Sequence, residues 1–179
     1  YTKIALKKYN LMLNTNITKV SKKGKNLIIT AERNGKKKNL VVDTLLLTTG
    51  RIPNSDILKV KNTGVKINKS GFIEVDKYLE TNVKGIWAIG DIIGKYLLKH
   101  SANMEAHYCA QNAFNNKLEV DYKAMPHAIF TYPQIAGVGY TEQELKEKKI
   151  KYLKGRYNYI DTGMGKAKEE KDGFVKVFI

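Results

Sequence analysis

Thr81-Asn82-Val83-Lys84-Gly85-Ile86-Trp87-Ala88-Ile89-Gly90-Asp91 is the stretch on which the reading of this chain turns. Its apolar run, 86–89, predicts a strand buried on both faces. Gly90 ends the run and lets the backbone come close to a ligand. Asp91 then falls at the carboxyl end of the strand, where open α/β sheets place their ligands. A carboxylate there accepts hydrogen bonds from the hydroxyls of a sugar-like chain.

The stretch sits in a chain of 179 residues, enough for one ordinary domain or for parts of several. With 42% apolar residues the chain can bury a core, yet no run approaches the roughly 18 consecutive apolar residues of a membrane helix. A net charge of +15 raises the question of a nucleic-acid partner. The kind of base argues against one. Only Arg33, Arg51 and Arg156 are arginine and the other 29 are lysine, whereas base-reading and phosphate-forking sites favour arginine. The lysines are dispersed, apart from Lys36-Lys37-Lys38, and compositional bias or heat adaptation explains them equally well. The expectation is therefore no nucleic-acid and no membrane partner. Cys109 is the single cysteine, so no disulfide framework or CxxC zinc site can form, which predicts a reducing, cytoplasmic setting. The start, Tyr1-Thr2-Lys3-Ile4, has neither Met nor a signal-peptide pattern, and 173–179 reads as a strand that stops without a turn. Both ends read as cuts inside a longer chain.

Upstream of the opening stretch, residues 1–9 read as the end of a helix, with Lys3, Lys7 and Lys8 where cations suit the dipole. Leu11-Met12-Leu13 reads as a short strand. Strand-like segments follow at 17–20, 27–31, 40–42 and 45–47, and the separator Asn34-Gly35 is a hairpin signal. The pattern predicts a three-stranded meander and then a buried strand running into Thr48-Thr49-Gly50-Arg51-Ile52-Pro53-Asn54. Gly50 lets the backbone approach a nucleotide, and Pro53 fixes φ in the crossover. Alone this segment is an ordinary loop; it gains weight from Asp91, 41 residues after Gly50. Between them we expect a helical turn at 56–59 and a hairpin with arms 65–67 and 73–75.

Downstream, a helix of about 16–18 residues is expected from the run Leu97-Leu98-Lys99-His100-Ser101-Ala102, ending near Asn115-Asn116. His100, His107 and His127 lack the spacing of a zinc helix, so no metal role is expected, and Cys109 reads as an inert buried thiol. From 122 onward two short strands are expected, then a capping box, Thr141-Glu142-Gln143-Glu144, opening a helix to about Lys149. A strand at 152–159, a loop with two glycines at 161–168 and a strand from Phe174 complete the pattern.

Three of these segments, taken together in their order along the chain, resemble the flavoprotein pyridine nucleotide-disulfide oxidoreductases. They are 81–91, the Gly50-Arg51-Ile52-Pro53-Asn54 turn, and Thr131-Tyr132-Pro133 followed by Ala136-Gly137-Val138-Gly139-Tyr140-Thr141-Glu142. The last is closer to the lipoamide dehydrogenase and mercuric reductase branches than to glutathione reductases. The resemblance implies a mixed α/β and α+β fold in three parts. These are the end of an NAD-binding Rossmann-like domain at 1–50, the second part of an FAD-binding domain at 51–120, and the start of an α+β dimerisation domain at 121–179. It implies that Gly90 and Asp91 hold the ribityl chain of FAD. The main chain of Leu97, Leu98, Lys99 and His100, at a helix N-terminus, would meet the flavin ring, and Gly50 would lie near NAD, with NADP the alternative. In this resemblance Ala106 departs from the family's usual Gly, and Lys99 from its Ala.

The resemblance further implies a homodimer, a small-molecule disulfide substrate and, for the lipoamide branch, a 2-oxoacid dehydrogenase complex. No GxGxxG, redox-active cysteine pair or His–Glu couple occurs here, so no residue is assigned as catalytic and the piece alone is expected to be inactive. Same-fold alternatives are an NADH oxidase, a peroxide reductase or a mercuric reductase. Alternatives from other classes are a non-catalytic assembly module and a basic nucleic-acid binder.

Overall fold

The computed structural model describes residues 1–179, which divide into two compact units, Tyr1–Arg51 and Ile52–Ile179. In the first unit, α1 (Thr2–Lys8) carries Lys7 and Lys8 in its last turn, at the negative end of the helix dipole. It is followed by an antiparallel meander of β1 (Asn16–Lys23), β2 (Asn26–Arg33) and β3 (Lys36–Val42), in that spatial order. The β2–β3 turn is Asn34-Gly35, with φ of +50° and +74°. Two positive φ values in a two-residue loop match the twist of the flanking strands, which is why Asn-Gly specifies a hairpin here. Ile29 and Ala31, two apart on β2, are buried on one face of the sheet.

Two expectations for this unit are corrected. Leu11-Met12-Leu13 forms no strand; the chain turns at Leu13-Asn14, and the Thr15 hydroxyl donates to the Leu13 carbonyl at 3.1 Å. Nor is 45–47 a buried strand: Leu46 is 83% and Leu47 72% exposed, and the segment pairs with none of β1, β2 or β3. An apolar run becomes strand only where a neighbour satisfies its amides and covers its faces.

The second unit begins with a largely irregular stretch held by main-chain and side-chain hydrogen bonds. The helical turn expected at 56–59 is a series of turns leading into a short 3₁₀ segment at Val60–Thr63. The hairpin expected at 65–75 is reduced to a single bridge, Ile67 to Ile73. The decisive stretch is also corrected. It is the second arm of a narrow hairpin rather than a strand buried on both faces, and Ile86 is 37% exposed. Its main chain pairs with 79–81 through Thr81 N–H to Ile86 O at 2.8 Å and Ala88 N–H to Leu79 O at 3.1 Å. Leu79, Thr81 and Ala88 are its buried residues. Asn82 fastens this hairpin to the preceding one, accepting from Lys66 N–H at 2.7 Å and donating to the Gly64 carbonyl at 2.9 Å.

Helix α2 (Lys99–Ala113) follows, starting two residues later than the apolar run suggests because Leu98 is its extended N-cap. Beyond it, β4 (His127–Ile129) pairs antiparallel with β5 (Ile135–Gly137). The capping box predicted at Thr141 is complete: Thr141 Oγ1 accepts from Glu144 N–H and the Glu144 carboxylate accepts from Thr141 N–H, opening α3 (Glu142–Glu147). Strands β6 (Lys154–Asn158) and β7 (Phe174–Phe178) pair antiparallel. The two-glycine loop expected between them instead contains a helix, α4 (Gly163–Ala167), capped by the Thr162 hydroxyl, which accepts from Gly165 N–H at 2.9 Å. Glycine's poor helix propensity hid it. Cys109 is half-buried rather than buried, and burial raises its thiol above the ordinary value, so it stays protonated.

Candidate functional site

The site is built on residues 90–105 of the second unit. Gly90 opens a single 3₁₀ turn, Gly90–Ile93, with φ +75°, and Gly94 closes it with φ +70°. Both are positions that favour glycine, and both are crowded. A Cβ on Gly90 would stand 3.3 Å from the Ala102 Cβ on α2, and one on Gly94 would stand 2.6 Å from the Phe72 ring. The turn is also tied by hydrogen bonds. Ile73 N–H donates to Ile92 O at 2.9 Å, and Gly90 N–H donates to the Glu105 carboxylate at 2.6 Å. Asp91 is carried on this fixed turn and is itself exposed.

The turn packs on α2, whose N-cap is Leu98. No side chain caps α2 and no acidic residue lies in its first turn, so no capping side chain claims its N-terminal N–H groups at the positive end of the dipole. The Ser101 hydroxyl donates instead to the Leu98 carbonyl at 2.7 Å. Leu97 and Lys99 are exposed, and Leu98 and His100 are half-buried. The His100 imidazole, through Nε2, meets the Pro126 carbonyl.

Sequence reading assigned no role to Glu105 or Tyr122. Glu105 lies within α2 and has no exposed surface. Its second oxygen accepts from the Tyr122 hydroxyl at 2.9 Å. The Tyr122 ring leans on Tyr96, centroids 5.4 Å apart, with the Lys95 ammonium 4.9 Å from its centroid. Burial, with the Glu105 hydrogen bond second, pushes the Tyr122 phenol far above its ordinary value, so it remains a donor. The signal available in sequence was only a carboxylate on the buried side of a helix, which must find partners.

Gly50 belongs to the first unit. Its φ of +126° favours glycine, and nothing lies within 4 Å of the position a Cβ would take. A hollow in the same unit, lined among others by Arg33, Lys36, Lys37 and Lys38, contains none of the residues singled out as binding. No three His, Cys, Asp or Glu residues stand together as a metal set. No helix is long and apolar enough to cross a membrane.

A rigid turn presenting an exposed carboxylate, packed beside an uncapped helix N-terminus, suits a group that offers hydroxyls at one point and acceptor atoms at another. A flavin nucleotide is such a group, so the residues present fit it.

Comparison with known proteins agrees with that class. Residues 3–113 match the family described as pyridine nucleotide-disulphide oxidoreductase, and residues 125–179 match the dimerisation domain of the same family. The chain belongs to the pyridine nucleotide-disulphide oxidoreductase family. Among its relatives, the dihydrolipoyl dehydrogenase of Cupriavidus necator is 36% identical over 170 residues, 95% of this chain and 36% of that protein. The Staphylococcus aureus dihydrolipoyl dehydrogenase is 38% identical over 149 residues, 83% of this chain and 32% of that one. The chain thus spans about a third of the length of these curated relatives. Two solved structures share its fold. LpdA from Mycobacterium tuberculosis superposes with a TM-score of 0.87 at 22% identity, over 99% of this chain and 38% of that one. The HOCl-induced flavoprotein disulfide reductase RclA from Escherichia coli gives 0.81 at 21% identity, over 99% and 40%.

Proposed function

We propose that the intact protein is an FAD-dependent NAD(P)H:disulfide oxidoreductase of the dihydrolipoamide dehydrogenase type, passing electrons between dihydrolipoamide, FAD and NAD. The observation that carries this reading is the Gly90–Asp91 turn, locked onto a helix whose N-terminus has no side-chain cap. Family membership and the dihydrolipoyl dehydrogenase relatives support it. When bound, the flavin supplies a reversible two-electron acceptor between nicotinamide and disulfide.

Asp91 accepts hydrogen bonds from the ribityl hydroxyls, and Gly90 keeps the main chain close enough for it to do so. The main chain at Leu97, Leu98, Lys99 and His100 donates to acceptor atoms of the ring. The positive end of the α2 dipole favours negative charge beside it by roughly 0.3–2 kcal/mol. Gly50 belongs beside the nicotinamide nucleotide, NAD or alternatively NADP. In this reading residues 1–50 close the nucleotide domain, 51–120 continue the FAD domain and 121–179 open the dimerisation domain. The protein works as a cytoplasmic homodimer, with a 2-oxoacid dehydrogenase complex as its partner assembly.

Purification of the intact protein tests this. It should be yellow, with flavin absorbance, and should reduce NAD with dihydrolipoamide. A colourless protein that takes up no added FAD would refute the flavin reading. A flavoprotein active only with dioxygen, peroxide or mercuric ion would move it to one of the same-fold alternatives.

A further inference from the structure

Glu105 has no exposed surface, yet it is not part of any ion pair with a lysine or arginine in contact with it. Burying a carboxyl group is costly unless its lone pairs are used. Both oxygens here are used as acceptors: one by Gly90 N–H at 2.6 Å, the other by the Tyr122 hydroxyl at 2.9 Å. These two bonds bracket one loop. Gly90 immediately precedes Asp91, and Tyr122 holds the far side of the loop through its contacts with Tyr96 and Lys95. The segment from Gly90 to Tyr96 is thereby tied at both ends to one side chain of α2, the helix on which the turn packs.

We propose that Glu105 is a positioning residue for flavin binding, setting the Asp91 turn against the N-terminus of α2, with Tyr122 as its second tether. The assignment rests on the flavin reading above. It differs from a general stabilising role in what it predicts locally. A tether controls the 90–94 turn, whereas a core residue controls the whole helix.

The test uses the intact holoprotein and two readouts, amide hydrogen exchange resolved to 90–94 and the dissociation constant for FAD. Glu105→Ala leaves the Gly90 amide without its acceptor, and exchange at 90–94 should rise about tenfold or more relative to 106–113, with FAD affinity falling by a similar factor. Glu105→Gln keeps an acceptor oxygen for Gly90 and should remain within about threefold of the parent. Tyr122→Phe removes one tether and should fall between. Asp91→Ala serves as the reference for flavin loss. Exchange that rises evenly along α2 with FAD retained would overturn the proposal in favour of a purely structural role. If Glu105→Ala yields no folded protein, Tyr122→Phe decides, and parent-like behaviour in both readouts overturns the assignment. If Asp91→Ala loses FAD while Glu105→Ala changes neither readout, the role given to Glu105 alone is wrong. If Asp91→Ala keeps FAD while the turn loosens as expected, the flavin reading itself is overturned, and the purpose given to Glu105 falls with it.

Discussion

At Gly165 a hydrogen atom stands where any side chain would strike the main chain: a Cβ there would lie 1.8 Å from the Tyr159 carbonyl oxygen. Two effects oppose each other in Gly165→Ala. Alanine favours the helical conformation of α4 by about 1 kcal/mol. Forcing a methyl group into a filled space typically costs about 1–3 kcal/mol, and here the obstacle is backbone rather than a side chain that can swing away. The clash should win. We expect a net loss of about 1–2 kcal/mol or more, read from the urea midpoint; a stabilised variant would show that the contact is not rigid. Single residues were legible in the sequence wherever their partners are close along the chain. Asn34-Gly35 specifies its turn by φ alone, and Thr141 and Glu144 find each other three residues apart. The role of Glu105 was not legible, because its partners Gly90 and Tyr122 lie 15 and 17 residues away and no local rule names them.

Among the elements, α3 is fastened to the β6–β7 pair by one carboxylate. Glu142 meets Lys154 at 3.0 Å, Lys176 at 3.2 Å and Lys146 at 3.6 Å. The Lys154 hydrogen bond, then that of Lys176, lowers its carboxyl from 4.5 to about 2. A lowered folded-state value means that the stabilisation is fully present above the unfolded value, near 4.5, and is lost as pH falls through about 2. The stability difference between the parent and Glu142→Gln should therefore be constant at neutral pH and shrink between about pH 5 and pH 2. Urea midpoints across that range give the answer, and a difference that stays level to pH 2 would contradict the arrangement. At this scale the sequence overreached at 45–47 and 86–89. Both are apolar runs, and periodicity reports what a segment could bury, not which neighbour covers it. It also missed α4, where Thr162 and the turn geometry outweigh two glycines.

For the whole molecule, the family was readable from the sequence because three separated segments matched together, although the decisive run proved to be a hairpin arm and not an inner strand. What survives that correction is the part with chemistry. Gly90 and Asp91 lie on a turn pressed to α2, and the helix begins with its N–H groups unclaimed by any capping side chain. The central claim is that the Asp91 carboxylate holds FAD in the intact protein. The affinity of that protein for FAD, measured by fluorescence for the parent and for Asp91→Ala under identical salt and pH, addresses it most directly. Losing a carboxylate that accepts ligand hydroxyls should cost about 1.5–3 kcal/mol, a weakening of roughly ten- to a hundredfold. Equal affinity and equal flavin content in the two proteins would contradict it.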